Sequence, residues 1–341
     1  MEIKTTSVMK PLGILAATAI VFAAIKSTSF IVGPLVLAIL FVAVLRPLYI
    51  RMTRKMPVGL AFLFTVLLFI VIIVFVGWVF GLAISSTISI AQEYAPEITT
   101  NFENLSNYLS NLPASLSGLN GMLQSVDTTK ISTFLSGFIS VLSAFLGNLV
   151  LIFFMFLFVL AGGPVVLKNM RAKFGEEHLL TRRTLAFSDN LTRYFVLRTL
   201  VNAITGTGIA IVCLFLGIPD AWIWGLLTFV LSYIPYIGMF IACVPPGLIA
   251  FATGGLTELA VFILLCVIIN GLAEQVVSPI ITGRGLSISP FLIFVSFIFW
   301  GWILGSIGYI VAVPMTLLVL LFMASFEETD GIAKLFSNLP D

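Results

Sequence analysis

Charge is scarce in this chain: only 9% of its 341 residues are Asp, Glu, Lys or Arg, against roughly 25% in an ordinary soluble domain. That deficit excludes a water-solvated surface over most of the protein. There is one histidine, His178, beside Glu176 and Glu177 in a polar connector with no HExxH-type pattern, so it reads as solvated and not as a ligand. The three cysteines, Cys213, Cys243 and Cys266, all lie inside apolar runs at spacings of 30 and 23, which fit neither a disulfide framework nor a zinc site. GxGxxG, Walker and GxSxG patterns are missing, so no nucleotide loop or nucleophile elbow is offered. No enzymatic activity, cofactor, metal or nucleic-acid partner is expected.

What the chain has in abundance is apolar sequence, 60% of the total. Uncharged windows run over 56–92, 131–167, 199–219, 221–257 and 285–326, and a spanning helix needs only about 20 apolar residues. The composition is that of an all-α, polytopic membrane protein. The run Leu12 to Ile25, preceded by Lys4 and Lys10, has signal-peptide proportions. Because a second apolar run starts at Phe30, it reads as a first, uncleaved span.

Basic residues mark cytoplasmic connectors. Arg46, Arg51, Arg54 and Lys55 crowd one; Lys168, Arg171, Lys173, Arg182, Arg183, Arg193 and Arg198 enrich another. Between Met56 and Leu167 the balance reverses, with Glu93, Glu97, Glu103 and Asp127 against Lys130 alone. Spans near 11–25, 30–45, 58–84, 137–161 and 199–217 then place the amino terminus inside and Asp220 outside. The stretch 221–257 is expected to break at Tyr233–Gly238 and again at Pro245–Pro246, as two thin spans or a hairpin. Leu256 to Ala273 is expected to run inward as the next span, and 285–326 to fold back at Gly305–Gly308, leaving the acidic tail inside.

The acidic segment carries a stripe of Ile84, Ile88, Ala91, Ala95, Ile98, Phe102, Leu105, Leu109 and Leu112, alternating steps of four and three, the period of a coiled-coil seam. Residues 58–112 as one rod would measure about 80 Å against a hydrocarbon core of about 30 Å, so much of it should project outside. Pro96 is expected to kink the rod and Pro113 to end it. The stripe packs either on its own returning helix or on copies of itself in a homo-oligomer, with Ile98, Phe102, Leu105, Leu109 and Leu112 as the contact.

From Thr199 to Phe326 the only charged residues are Asp220, Glu258, Glu274 and Arg284. An ionisable group held within the bilayer is costly, so a buried one should be paired and functional. Asp220 and Glu258 sit at the edges of apolar runs and read as interfacial. Glu274 and Arg284 flank "VVSPIITGRGLSISP", whose prolines and glycines imply irregular backbone; at membrane depth such backbone survives only inside protein or beside a wet cavity. "YIPYIG" at 233–238 has the same character, and interrupted helices of this kind point to a transporter's binding site. Gly301, Gly305 and Gly308, and the pairs Gly77 with Gly81 and Gly206 with Ala210, read as close helix contacts.

"WGLLTFVLSYIPYIG" followed by "VPP", then "SPIITGRGLSISP", then "FIFWGWILGSIGYIVAVPMT" resemble, in order and spacing, the autoinducer-2 exporter (AI-2E) family of prokaryotic transporters, over roughly residues 190–325. The resemblance implies about eight transmembrane helices plus short hairpin or re-entrant helices, an extracytoplasmic helical projection, homo-oligomers in the cytoplasmic membrane, and efflux of a small polar solute such as the quorum-sensing signal autoinducer-2. It also implies a pathway through Tyr233, Pro235, Tyr236, Gly238, Pro245, Pro246, Pro279, Gly283, Arg284 and Gly285. Some relatives resemble sodium or lithium/proton antiporters. Some also carry an acidic residue directly before the proline that is Pro279 here; this chain has Ser278, and Glu274 is the substitute candidate. A non-transporting scaffold is the third reading, weakened by the helix breaks. The expected division is 1–84 spans one to three, 85–136 an external helical segment, 137–163 span four, 164–198 a basic cytoplasmic connector, 199–326 the transport core, and 327–341 a cytoplasmic tail.

Overall fold

A computed structural model describes residues 16–17, 19–110, 128–175, 179–234, 237–282, 290–323 and 331. Among the described residues there is no strand. Ten α-helices follow in order: α1 (Ser29–Thr53), α2 (Val58–Glu93), α3 (Ala95–Ser110), α4 (Thr128–Phe174), α5 (Leu179–Phe215), α6 (Ala221–Leu231), α7 (Gly238–Gly271), α8 (Ser278–Thr282), α9 (Pro290–Leu304) and α10 (Ser306–Met323). A π-helical turn, Leu272–Val277, joins α7 to α8. Residues 19–27 are also helical and part from α1 at Thr28.

Among the described residues, five stretches are long and apolar enough to cross a membrane: Ser29–Thr53, Val58–Glu93, Thr129–Phe174, Leu191–Phe215 and Gly238–Ile280. Their surfaces carry exposed Leu, Val, Ile and Phe side chains such as Val71, Val74, Phe158 and Leu214. In water these would be a large unfavourable apolar surface; in lipid they are solvated.

The last stretch is not one rod. Gly255 sits at φ 61 and ψ −149 inside α7, a region open essentially to glycine alone. Cys243 and Cys266, and Gly247 and Phe262, lie equally far from the Gly254–Gly255 turn in sequence, and all four line one cavity. α7 is therefore a hairpin of two arms. The first arm, 238–254, spans about 25 Å, short of the roughly 30 Å hydrocarbon core.

This corrects two expectations. Pro245 and Pro246 do not break the chain; both are buried inside the first arm, where they remove two intrahelical bonds but keep helical φ. Leu256 to Ala273 is not an independent span but the returning arm. The rod expected over 58–112 is interrupted at Tyr94, two residues before Pro96, as that proline predicts; Pro96 itself falls in the first turn of α3, where its missing N–H costs nothing.

The chain divides into two compact units. The first comprises 1–67, 150–193 and 284–341. Within it α9 and α10 fold back at Gly305, φ 66, as the sequence pattern predicts. A Cβ on Gly301 would overlap the Tyr309 ring and one on Gly308 the Trp300 carbonyl, so the glycines set the closeness of this pair. The Trp300 indole donates to Thr316 (3.1 Å), whose hydroxyl donates to Ser296 (2.7 Å). In α1, Pro47 leaves the Ala43 carbonyl without its helical donor, and Ser188 of α5 supplies one at 2.8 Å.

The second unit comprises 68–149 and 194–283. Its core gathers Phe80, Ile90, Ile98, Leu135, Leu142, Ile209, Trp224 and Phe262. Ile98 and Ala95 of the predicted seam are buried here, and the Phe102 ring lies 4.7 Å from Phe251 of α7. Within the chain, that end of the stripe packs on the hairpin and shares its buried core with Ile131 and Leu135 of the returning helix α4. The side chain of Leu109 and all of Leu112 lie outside the described residues.

Candidate functional site

Every described pathway candidate, Tyr233, Gly238, Pro245, Pro246, Glu274 and Pro279, belongs to the second unit. Pro235, Tyr236, Gly283, Arg284 and Gly285 lie outside the described residues. The site is built on α5, the short α6, the hairpin α7 and the π turn.

α6 has 11 residues, about 16 Å at 1.5 Å per residue, too short to cross. It begins at Asp220, the only non-glycine residue with positive φ among those described, whose carboxylate accepts from Ser86 Oγ at 2.6 Å. Tight packing then holds it on α5. A Cβ on Gly206 would lie 2.6 Å from the Gly225 carbonyl, and one on Gly225 2.7 Å from the Ala210 Cβ; the absence of those side chains lets the two backbones touch.

The break after α6 has a steric cause as well. A Cβ at Gly238 would overlap the Leu231 carbonyl, so the end of α6 and the start of α7 press together through glycine. The Ile234 amide donates to Leu231 O (2.8 Å) and the Gly238 amide to Ile234 O (3.0 Å). Tyr233 turns toward α5: its hydroxyl is 2.6 Å from Thr199 Oγ1, and its ring stacks on Phe195 with centroids 6.1 Å apart.

The charged centre is an ion pair across three elements. Arg198 of α5 places Nη1 2.7 Å from Glu274 Oε1. Its Nη2 and Nε donate to the Ser232 carbonyl at 2.8 and 3.2 Å. One guanidinium thus joins the π turn, the carboxyl end of α6 and α5, using the forked geometry that lysine lacks. The two side chains are 12% and 21% exposed, so solvent screens the pair only weakly. Glu274 sits within the π turn, a form of helix that often marks functional positions. Pro279, further along in α8, is exposed.

The hairpin tip is polar. Breaking the helix at Gly255 deprives the last carbonyls of the first arm of their donors. Asn101 of α3 replaces them, its Nδ2 lying 2.7 Å from Phe251 O and 3.0 Å from Ala252 O. Thr253 Oγ1 donates to Glu258 Oε2 at 3.3 Å, at the start of the second arm, where the helix dipole favours negative charge. Between the arms and the neighbouring helices lies an apolar cavity of about 310 Å³ lined by Phe102, Phe240, Cys243, Phe262 and Cys266 among others. Among the described residues no group of His, Cys, Asp and Glu is placed to hold a metal.

Sequence reasoning does not single out Arg198, Thr199 or Ser232. The available signal is position: Arg198 is the last charge before an uncharged window of 21 residues, 199–219.

A short helix, a hairpin that turns inside an apolar segment, and an ion pair joining them form the kind of unwound, internally paired region on which transporters bind solutes. The sequence profile of the AI-2E family transporters matches residues 12–328. The chain belongs to the AI-2E transporter family. It is 28% identical over 339 residues to the AI-2 transport protein TqsA of Escherichia coli (strain K12), covering 98% of this chain and 97% of that protein. It is also 28% identical over 324 residues to the "Putative transport protein YhhT" of Escherichia coli (strain K12), covering 94% and 91%. YueF of Bacillus subtilis (strain 168), similarly named, is 27% identical over 316 residues, covering 85% of this chain and 82% of its own. Membership makes the chain a membrane-embedded, multi-pass transporter of a bacterial family, with a small-molecule substrate and the bilayer as its surroundings.

Proposed function

We propose that this transporter exports a small polar, uncharged solute such as autoinducer-2 across the cytoplasmic membrane, by a route along α5, α6 and the α7 hairpin. The observation that carries the reading is the Arg198–Glu274 pair. It supplies the region with polarity while leaving no net charge, which suits a solute that brings none. Near-complete alignment with TqsA, named an AI-2 transport protein, supports the same substrate class. The route runs past Tyr233, Pro235, Tyr236, Gly238, Pro245, Pro246 and Glu274 to a cytoplasmic end at Pro279, Gly283, Arg284 and Gly285. Both termini face the cytoplasm, and the protein works as a homo-oligomer with an external helical segment.

Sodium or lithium/proton exchange would need a titrating carboxylate in the membrane. Glu274 is the candidate, yet its carboxylate is held by a guanidinium that any proton cycle would have to release. No observation favours that reading.

The test is efflux from proteoliposomes containing the purified chain, with autoinducer-2, sodium and lithium compared side by side. Autoinducer-2 should leave faster than from empty liposomes, with no cation-dependent proton movement. Proton exchange without solute efflux would replace the export reading with antiport.

A further inference from the structure

Asn202 lies one helical turn beyond Arg198 on α5, so the two share a face. It is 1% exposed, and neither its Oδ1 nor its Nδ2 has a hydrogen-bond partner; Ser232 Oγ, in a residue 5% exposed, has none either. Among the described residues these are the buried side-chain polar atoms left unpaired.

The contacts on either side of Asn202 locate it. On one side Arg198 holds the Ser232 carbonyl and Glu274. On the other, Gly206 packs on Gly225 and Phe229 of α6, and Gly208 on Ile269 of the second arm. Asn202, one turn before Gly206, therefore falls in the seam of α5 and α6, beside the ion pair.

An amide offers two donors and an acceptor, and a hydroxyl one donor with two lone pairs. Burying them unpaired is unfavourable, and apolar residues of similar size would fold more stably. The neighbouring threonines show how this segment ordinarily deals with polarity. Thr205 and Thr228, equally buried, return their hydroxyls to Val201 O (3.1 Å) and Trp224 O (2.8 Å). Asn202 and Ser232 make no such internal bond.

Charge narrows what they serve. Arg198 and Glu274 neutralise each other, while Asp220 and Glu258 are engaged by Ser86 and Thr253. An ion entering the seam would have to compete with that pair. A neutral molecule carrying hydroxyl donors and carbonyl or hydroxyl acceptors satisfies both side chains and leaves it intact.

We propose that Asn202 and Ser232 form a hydrogen-bonding subsite for a small neutral polyhydroxylated solute. The inference rests on the export reading for its purpose, but its test is separate. The full chain in nanodiscs is titrated with xylulose, a neutral five-carbon polyhydroxy ketone, and with pentan-2-one, which has the carbon chain and carbonyl without the hydroxyls; autoinducer-2 efflux is measured in parallel. Xylulose should bind saturably and pentan-2-one should not. Asn202→Leu and Ser232→Ala should each weaken xylulose binding at least ten-fold, with Tm unchanged or higher. Should Asn202→Leu fail to fold, Ser232→Ala, which deletes one oxygen, decides alone. Absent xylulose binding in the wild type, unchanged binding in the variants, or loss of binding only alongside a fallen Tm overturns the subsite. Autoinducer-2 efflux that persists unaltered in the variants removes the subsite and leaves the export reading standing. Asn202-dependent xylulose binding without autoinducer-2 efflux does the reverse.

Discussion

Arg198 Nη1 and Glu274 Oε1 meet at 2.7 Å across 76 residues of sequence, and the same guanidinium clasps the Ser232 carbonyl. Removing one member leaves an opposite charge largely buried, at a cost of about 3 kcal/mol. Arg198→Leu and Glu274→Leu should each lower Tm and abolish efflux, whereas the double leucine variant should regain most of the stability but not the transport. A thermal-unfolding cycle on the four proteins checks it; additive losses would show that the two charges act separately.

Gly238→Ala forces a Cβ into the Leu231 carbonyl, an overlap that backbone alone can relieve. It should cost more than 2 kcal/mol, in the range of overpacked sites, and slow efflux several-fold. Gly137→Ala, on a helix where a Cβ meets nothing within 4 Å, should be neutral or stabilising by about 0.5–1 kcal/mol. Thermal unfolding of the two variants side by side makes the comparison.

The hairpin turn depends on Gly255 and its cap. Gly255→Ala places a side chain at φ 61, ψ −149 and should cost about 1–3 kcal/mol. Asn101→Leu strips two donors from the tip carbonyls and should cost about 1–2 kcal/mol. Amide exchange in the tip, residues 249–258, should rise in both and stay unchanged around α9 and α10. Pro245→Ala should leave the first arm helical, since that proline already lies within a helix; increased exchange throughout the arm would show that the proline is needed for its geometry.

Much of this architecture is legible in the sequence because membrane burial imposes simple rules. Apolar run length marks Ser29–Thr53, Val58–Glu93, Thr129–Phe174 and Leu191–Phe215 as candidate spans, and the glycine-rich stretch at 305–308 gives the fold-back between α9 and α10. The break near Gly238 is readable too. The position of the hairpin turn is not legible, because proline carries the stronger local signal. Pro245–Pro246 cannot donate, yet a helix packed in its own unit tolerates the lost bonds. Gly254–Gly255 looks like an ordinary small-residue pair until φ is known. The partner of Glu274 is not legible for another reason: it lies 76 residues away in sequence, and only the antiparallel course of α5 and the second arm brings Arg198 to it.

The central claim, that a solute passes along α5 and the break between α6 and α7, is tested most directly by cysteine accessibility during transport. Tyr233→Cys and Leu264→Cys, one at the break and one an exposed apolar position on the returning arm, are treated with a membrane-impermeant thiosulfonate; the three native cysteines are buried and give the background. Labelling at 233 but not at 264, slowed by autoinducer-2 and followed by loss of efflux, is the expected result. Efflux that proceeds unimpaired with position 233 fully labelled would contradict the account.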